Sequence, residues 1–179
     1  MLAVLLVLVC AFFRIIPHPP NFAPVGATAV LAGRTMRPLT AIVVTLAAMT
    51  LSSAVLGWMH GWQAFGIGTL FVYSGFAAQV LIARALRKVR GGAIGAALLG
   101  ACVFFAVSNF GVWAMGGLYP RTLAGLEACY IAALPFFGAT LAGDVLWTIA
   151  LVLGWRSIAE RLAGRRAWVS DDSLEAARL

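Results

Sequence analysis

The sequence predicts an all-α integral membrane protein, built as a bundle of six transmembrane helices with both termini in the cytoplasm. Composition is the first observation: the 179 residues are 63% hydrophobic and only 11% charged, with a mean hydropathy of +0.98. Such values exclude an ordinary water-soluble domain and leave one small domain built in lipid. The other two observations are the lengths of the apolar runs and the one-sided placement of the basic residues.

A helix needs about 20 apolar residues to cross the hydrocarbon core. Residues 39–58, 65–86, 93–115 and 134–155 satisfy this length, whereas residues 2–16 are slightly short. That first run lacks a basic leader and a small-residue cleavage site, which favours a helix over a signal peptide. Residues 17–33 open with closely spaced prolines and continue as a short apolar stretch, which predicts a proline-led helix of about half a span.

The basic residues decide whether this short segment crosses. If it does, eleven of the thirteen basic residues share one face and only Arg14 and Arg121 lie on the other. The positive-inside rule then places the basic face in the cytoplasm. The residues on that face are Arg34, Arg37, Arg84, Arg87, Lys88, Arg90, Arg156, Arg161, Arg165, Arg166 and Arg178.

Residues 1–156 are therefore predicted as the transmembrane domain and residues 157–179 as a cytoplasmic tail. The tail pattern indicates an amphipathic helix on solvent or lipid headgroups, or alternatively a partner site. Although the net charge of +7 would suit nucleic acid, the basic residues punctuate apolar runs and form no exposed stripe, so no nucleic-acid partner is expected. No phosphate-binding loop, paired CxxC, HExxH or GxSxG motif occurs, so the sequence predicts neither an ATPase of its own nor a resident cofactor or metal.

Most chemically versatile residues fall in the three predicted outward connections. Aromatic rings with a few polar groups suit a small-molecule pocket, although Trp and Tyr also form interfacial belts and loop histidines often bond locally. Cys129 is either a packing residue or a thiol facing a metal-bearing ligand. The predicted substrate-binding residues are His18, Asn21, His60, Trp62, Asn109, Tyr119, Arg121, Cys129, Tyr130 and Asp144.

Asp144 is the one carboxylate well inside a predicted span, about 15 Å along its helix. A charge at that depth is costly, so the side chain is expected to face the bundle interior and find a partner, or to be protonated. It is either a ligand or proton site or a hydrogen-bonded clasp between helices. The candidate partners are Thr140, Thr148, Ser52, Ser53 and Asn109.

Several segments carry a family resemblance: PHPPNFAPVGA, FVYSGFA, SNFGVW, LYPRTLAGLEACYIAALPFF and ATLAGD. They resemble a bacterial family of uncharacterised membrane proteins labelled as transport proteins, which is similar to the substrate-binding (S) subunits of energy-coupling-factor (ECF) vitamin transporters. The resemblance implies six helices, cytoplasmic termini, an outward vitamin pocket and an energising membrane/ATPase module as partner. Because solitary relatives handle cobalamin, it makes cobalamin a candidate ligand.

The sequence departs from that family pattern at two places. The chain has Leu51, Ser52 and Ser53 where Leu-Ser-Asp is expected, so a second buried acid is missing. Val7 stands four residues after Ala3, where docking subunits carry an Ala-xxx-Ala stripe. The leading hypothesis is an uptake protein that binds a vitamin-sized cofactor or precursor beneath its outward connections. The alternatives are a membrane enzyme acting on a lipid or a bound cofactor, using Cys129 or Asp144 with a histidine, and a structural subunit of a membrane complex.

Overall fold

In the computed structural model the backbone is described for residues 1–176 and the side chains for residues 1–163. Every regular element in that part of the chain is helical. A short 3₁₀ turn, Leu86–Lys88, follows the fourth α-helix. The α-helices are α1 Leu2–Ile15, α2 Val25–Thr35, α3 Pro38–His60, α4 Thr69–Ala85, α5 Gly92–Met115 and α6 Leu123–Ala176.

Four helices are long and apolar enough to cross a membrane: α3, α4 with its 3₁₀ turn, α5, and α6 over Leu123–Ala163. This confirms the prediction of an all-α fold with four helices able to span a membrane. Helix α1 is apolar but has only 14 residues. The crossing of the membrane by α1 and α2 stays a prediction.

Helix α2 is the shortest α-helix and lies in the centre of the bundle. All residues of Val25–Gly33 are buried, and α2 packs against α3, α4, α5 and α6. Its 11 residues extend about 16 Å, roughly half of the hydrocarbon thickness. Small side chains allow this close packing: a Cβ on Gly33 would collide with the backbone carbonyl of Val80 on α4.

Arginine side chains join α2 to α4 where both helices end. Arg34 donates from Nη1 to the carbonyl of Leu86 at 2.8 Å and from Nη2 to that of Arg87 at 3.1 Å. Arg84 donates in return to the carbonyl of Met36 at 3.2 Å. Each cation therefore binds carbonyl groups at the C-terminal end of the other helix, where the helix dipole is negative. We call this end of the bundle the basic end.

The beginning of α1 and the middle of α6 also reach the basic end. Leu2, Met36 and Trp155 pack against one apolar cluster, which contains Leu6 and Ala41. The start of α1, the α2–α3 connection and the part of α6 around Trp155 are therefore neighbours. The opposite end of the bundle carries the α3–α4 and α5–α6 connections.

Helix α6 begins about three turns earlier than predicted. The sequence predicts an outward connection over residues 116–130 and a span from residue 134, but the helix starts at Leu123. Thr122 caps it, because its Oγ1 accepts a hydrogen bond from the Gly125 amide at 3.1 Å. The Leu, Ala and Glu residues that follow favour a helix. The backbone then stays helical to Ala176, and the predicted amphipathic pattern of the tail lies largely outside the residues with described side chains.

Candidate functional site

Arg14 lies in the last turn of α1 and points into the bundle. Its Nη1 donates to Ser52 Oγ at 2.6 Å, Ser53 Oγ at 3.0 Å and the carbonyl of Met49 at 3.2 Å, all on α3. These bonds fix the end of α1 against α3 and leave the guanidinium half-buried. From the sequence, Arg14 was expected to lie on the outer face of the membrane. The structure instead turns its side chain towards α3.

Asp144 is buried on α6, as predicted, but its partner was not foreseen. Gln79 on α4 donates from Nε2 to Asp144 Oδ2 at 2.8 Å. Gln79 is fully buried, and a Cβ on Gly100 of α5 would collide with it. The hydrogen bond therefore joins α4 to α6. Gly100 on α5 makes room for the Gln79 side chain, because it has no Cβ.

The partners proposed for Asp144 from the sequence are wrong. Ser52 and Ser53 accept hydrogen bonds from Arg14, and Asn109 donates to the carbonyl of Phe105 in its own helix. Thr140 likewise donates to its own helix, at Phe136, whereas Thr148 is buried with its Oγ1 unpaired. The sequence feature that could have identified Gln79 is that it is the one side-chain amide in the apolar helix α4.

Gly26 brings the Asp144 carboxylate against the first turn of α2. A Cβ at Gly26 would overlap the carboxylate atoms of Asp144, so only glycine admits this approach. The first amides of a helix have no intrahelical acceptor, and the dipole of the helix is positive at that end. The electrostatics of this end therefore favour a carboxylate beside it, even far from bulk water.

Three adjacent cavities meet around these residues. The central cavity, of about 120 Å³, includes Arg14, Asn21 and Asp144 in its lining. A second, of about 310 Å³, shares Arg14 and extends to Trp62; we call it the Trp62 cavity. A third, of about 230 Å³, shares Asn21 and extends to Asn109; we call it the Asn109 cavity. Together they form a row of polar and aromatic spaces between the helices, which is partly open to the surface near the exposed Trp62 and Phe136.

The proline-led segment between α1 and α2 forms part of this row. Asn21 adopts a left-handed conformation, with φ of +61°, which Asn tolerates better than most residues. The segment also contacts α6, since Phe22 lies 3.3 Å from where a Cβ of Gly143 would stand. The non-helical chain thus reaches the level of Asp144.

Four of the predicted substrate-binding residues line this row: Asn21, Asp144, Trp62 and Asn109. The remaining six do not line these three cavities: His18, His60, Tyr119, Arg121, Cys129 and Tyr130. Both histidines contact a carbonyl group close to them in the chain, which supports the interpretation that they bond locally. His18 Nδ1 is 2.7 Å from the carbonyl of Ile16 and His60 Nδ1 is 2.9 Å from that of Leu56.

Cys129 and Tyr130 pack α6 against α5. The thiol of Cys129 donates to the carbonyl of Asn109 at 3.5 Å, and the hydroxyl of Tyr130 donates to that of Ala106 at 2.6 Å. Over the described side chains, no group of three or more His, Cys, Asp or Glu residues is placed to hold a metal ion. The packing interpretation of Cys129 therefore has a structural basis.

Comparison with known proteins identifies the family but no characterised relative. No curated protein and no solved structure is significantly similar to the chain. The model of a family of unknown function, DUF6580, matches residues 1–167. The matched range includes every residue that lines the three cavities. The chain therefore belongs to the DUF6580 family.

Proposed function

We propose that the chain is a membrane protein that binds and takes up a vitamin-sized cofactor or precursor, without an ATPase of its own. The row of three cavities is the observation that carries the proposal. The Trp62 cavity alone, at about 310 Å³, reaches the size range of small-molecule sites. Aromatic walls with a few charged and amide groups are the usual lining of such sites.

The proposed orientation puts the basic end in the cytoplasm of a bacterial inner membrane, with six passes and both termini inside. Arg34 contacts the turn after α4, so the basic residues at the end of α2 and those after α4 lie on the same side of the bundle. The positive-inside rule favours this distribution on the cytoplasmic side. Residues 16–24, which precede α2, span the part of the membrane that the short helix α2 does not reach. Non-helical chain is tolerated at membrane depth where it lines a cavity, as Asn21 and Ala23 do.

Cysteine labelling tests this orientation. We expect a membrane-impermeant maleimide to label His18→Cys in intact spheroplasts, and to label Arg37→Cys only after permeabilisation, because the two exposed positions flank α2. The parent protein is the control: Cys10 and Cys129 are buried, and Cys102 lies in the apolar α5. Labelling of both positions in intact spheroplasts would contradict the proposed crossing.

The cavity sizes favour the smaller vitamins and their precursors over cobalamin, whose corrin ring system is larger than each cavity. Binding such a ligand requires no energy, but uptake against a gradient does. The resemblance to ECF S subunits supports an energising membrane/ATPase module as the partner; an ion gradient is the other source. The lipid bilayer surrounds the exposed apolar side chains of the long helices.

Ligand binding is the decisive test of this function. In mild detergent, we expect one member of a panel of vitamins and precursors to raise the melting temperature by several degrees at saturating concentration. Thr140→Phe should abolish the shift, because Thr140 borders both the central and the Asn109 cavities. Ile149→Phe, at a 42% exposed position of the same helix, is the matched control. Failure of every panel member to bind, or a shift unchanged by Thr140→Phe, would reject the proposal.

A further inference from the structure

The central cavity is lined by a basic and an acidic side chain that are each held by other partners. Arg14 and Asp144 both line it, yet each is hydrogen-bonded to neutral groups. Building on the proposed function, we infer that this cavity selects a ligand with two poles: an anionic group that binds Arg14 and an N–H donor that binds Asp144.

The guanidinium of Arg14 has N–H groups that donate no hydrogen bond to the described residues. All of its hydrogen bonds come from Nη1 and end on the hydroxyls of Ser52 and Ser53 or on the carbonyl of Met49. Nη2 and Nε have no hydrogen-bond partner among the described residues. The planar fork of arginine matches a carboxylate or a phosphate group, and such charge-assisted bonds are stronger than neutral ones. The free side of Arg14 is therefore suited to an anion.

Asp144 has a free acceptor in the same way. Its Oδ2 accepts the hydrogen bond from Gln79, whereas Oδ1 accepts none from the residues that the structure describes. Because the carboxylate also lines the central cavity, Oδ1 is available to a donor on a ligand. An ammonium group, a ring N–H or an amide N–H meets this requirement.

Fixed partners make this arrangement selective. Ser52 and Ser53 hold Arg14, while Gln79 and the first turn of α2 hold Asp144, so neither side chain has to be ordered when a ligand binds. A neutral ligand would leave the free donors of Arg14 without an anionic partner. Sites with buried polar groups discriminate strongly against ligands that leave those groups unpaired.

The walls between the two poles suit a flat or apolar body. Phe76 and Phe104 face the central cavity with their ring centroids 4.5 Å apart, and Met49 and Val25 complete that surface. Beyond Arg14 the Trp62 cavity offers room for a longer substituent. The ligand class is thus a small molecule with an acidic group, an N–H donor and an apolar middle.

Native mass spectrometry with paired probes tests this inference. The full chain in mild detergent is examined as purified, and then after incubation with vitamin acids that carry an N–H donor and with their neutral derivatives: biotin and biotinamide, and pantothenate and panthenol. We expect the bound molecule, whether co-purified or taken from a pair, to carry an anionic group. Its mass distinguishes a soluble acid from a phospholipid headgroup, either of which supplies that anion.

Variants separate this inference from the proposed function. We expect Arg14→Gln and Asp144→Asn each to weaken binding at least about tenfold, with Arg14→Lys intermediate. Arg90→Gln, which removes the same charge from an exposed turn, should bind normally. Melting temperatures without ligand identify any variant that fails to fold. If Arg14→Gln does not fold, the binding of Arg14→Lys is compared with that of the wild type instead. A neutral bound molecule, or equal binding by Arg14→Gln, would overturn the inference alone. A wild-type protein that binds nothing would overturn the proposed function with it.

Discussion

Gly26→Ala is expected to lower the free energy of unfolding by about 2–4 kcal/mol, because the new methyl group would occupy the position of the Asp144 carboxylate. Asp144 would have to withdraw from α2 and stretch its 2.8 Å hydrogen bond with Gln79. Neither neighbour can yield cheaply, since α2 is buried on all sides and Gln79 is enclosed by α5. One methyl group thus disturbs the contacts of three helices.

Gly138→Ala provides the matched control on α6. A Cβ at Gly138 meets no atom within 4 Å, so the substitution introduces no overlap. Alanine is also the better helix former, by up to about 1 kcal/mol. Thermal and chemical unfolding of both variants in the same detergent measures the contrast. Equal stability of the two variants would show that Asp144 does not lie against Gly26.

The parts of the fold that were predictable depend on local sequence. The length of an apolar run determines whether a helix can cross lipid, so α3, α4 and α5 were predicted close to their observed bounds. Proline spacing similarly predicted that α2 would be short and begin late, and it starts directly after Pro24. The burial of Asp144 followed from the cost of exposing a charge to lipid.

The pairing of the polar side chains was not predictable, because it depends on how the helices are rotated against one another. Gln79 was visible as an amide in an apolar helix, but nothing in the sequence directs it to α6. Arg14 stands at the end of a span, where arginine commonly reaches towards the headgroups. Two serines on α3 turn it inward. The start of α6 was predicted too late because the length of an apolar run does not reveal a capping residue such as Thr122.

Removing Gln79 is expected to be more damaging than removing both members of its hydrogen-bonded pair. Gln79→Leu would leave the Asp144 carboxylate in an apolar interior without its donor, and we expect a loss of about 2–4 kcal/mol. Asp144→Leu should cost about 1–3 kcal/mol, since it leaves a buried neutral amide unpaired. The double variant Gln79→Leu/Asp144→Leu removes both unpaired groups and should be more stable than Gln79→Leu.

This cycle also decides between the clasp and the ligand-site interpretations of Asp144. A side-chain hydrogen bond between membrane helices contributes only about 0.6 kcal/mol on average, so a clasp alone gives little reason to bury an acidic side chain. Thr148→Val is the control on α6: the buried hydroxyl has no partner, and its loss should leave stability unchanged or raised. If the double variant folds as well as the wild type but binds no ligand, the carboxylate serves binding. If the double variant is much less stable than the wild type, and each single variant costs about as much as the double variant, the pair is a structural clasp, because each side chain then contributes to stability only through its partner.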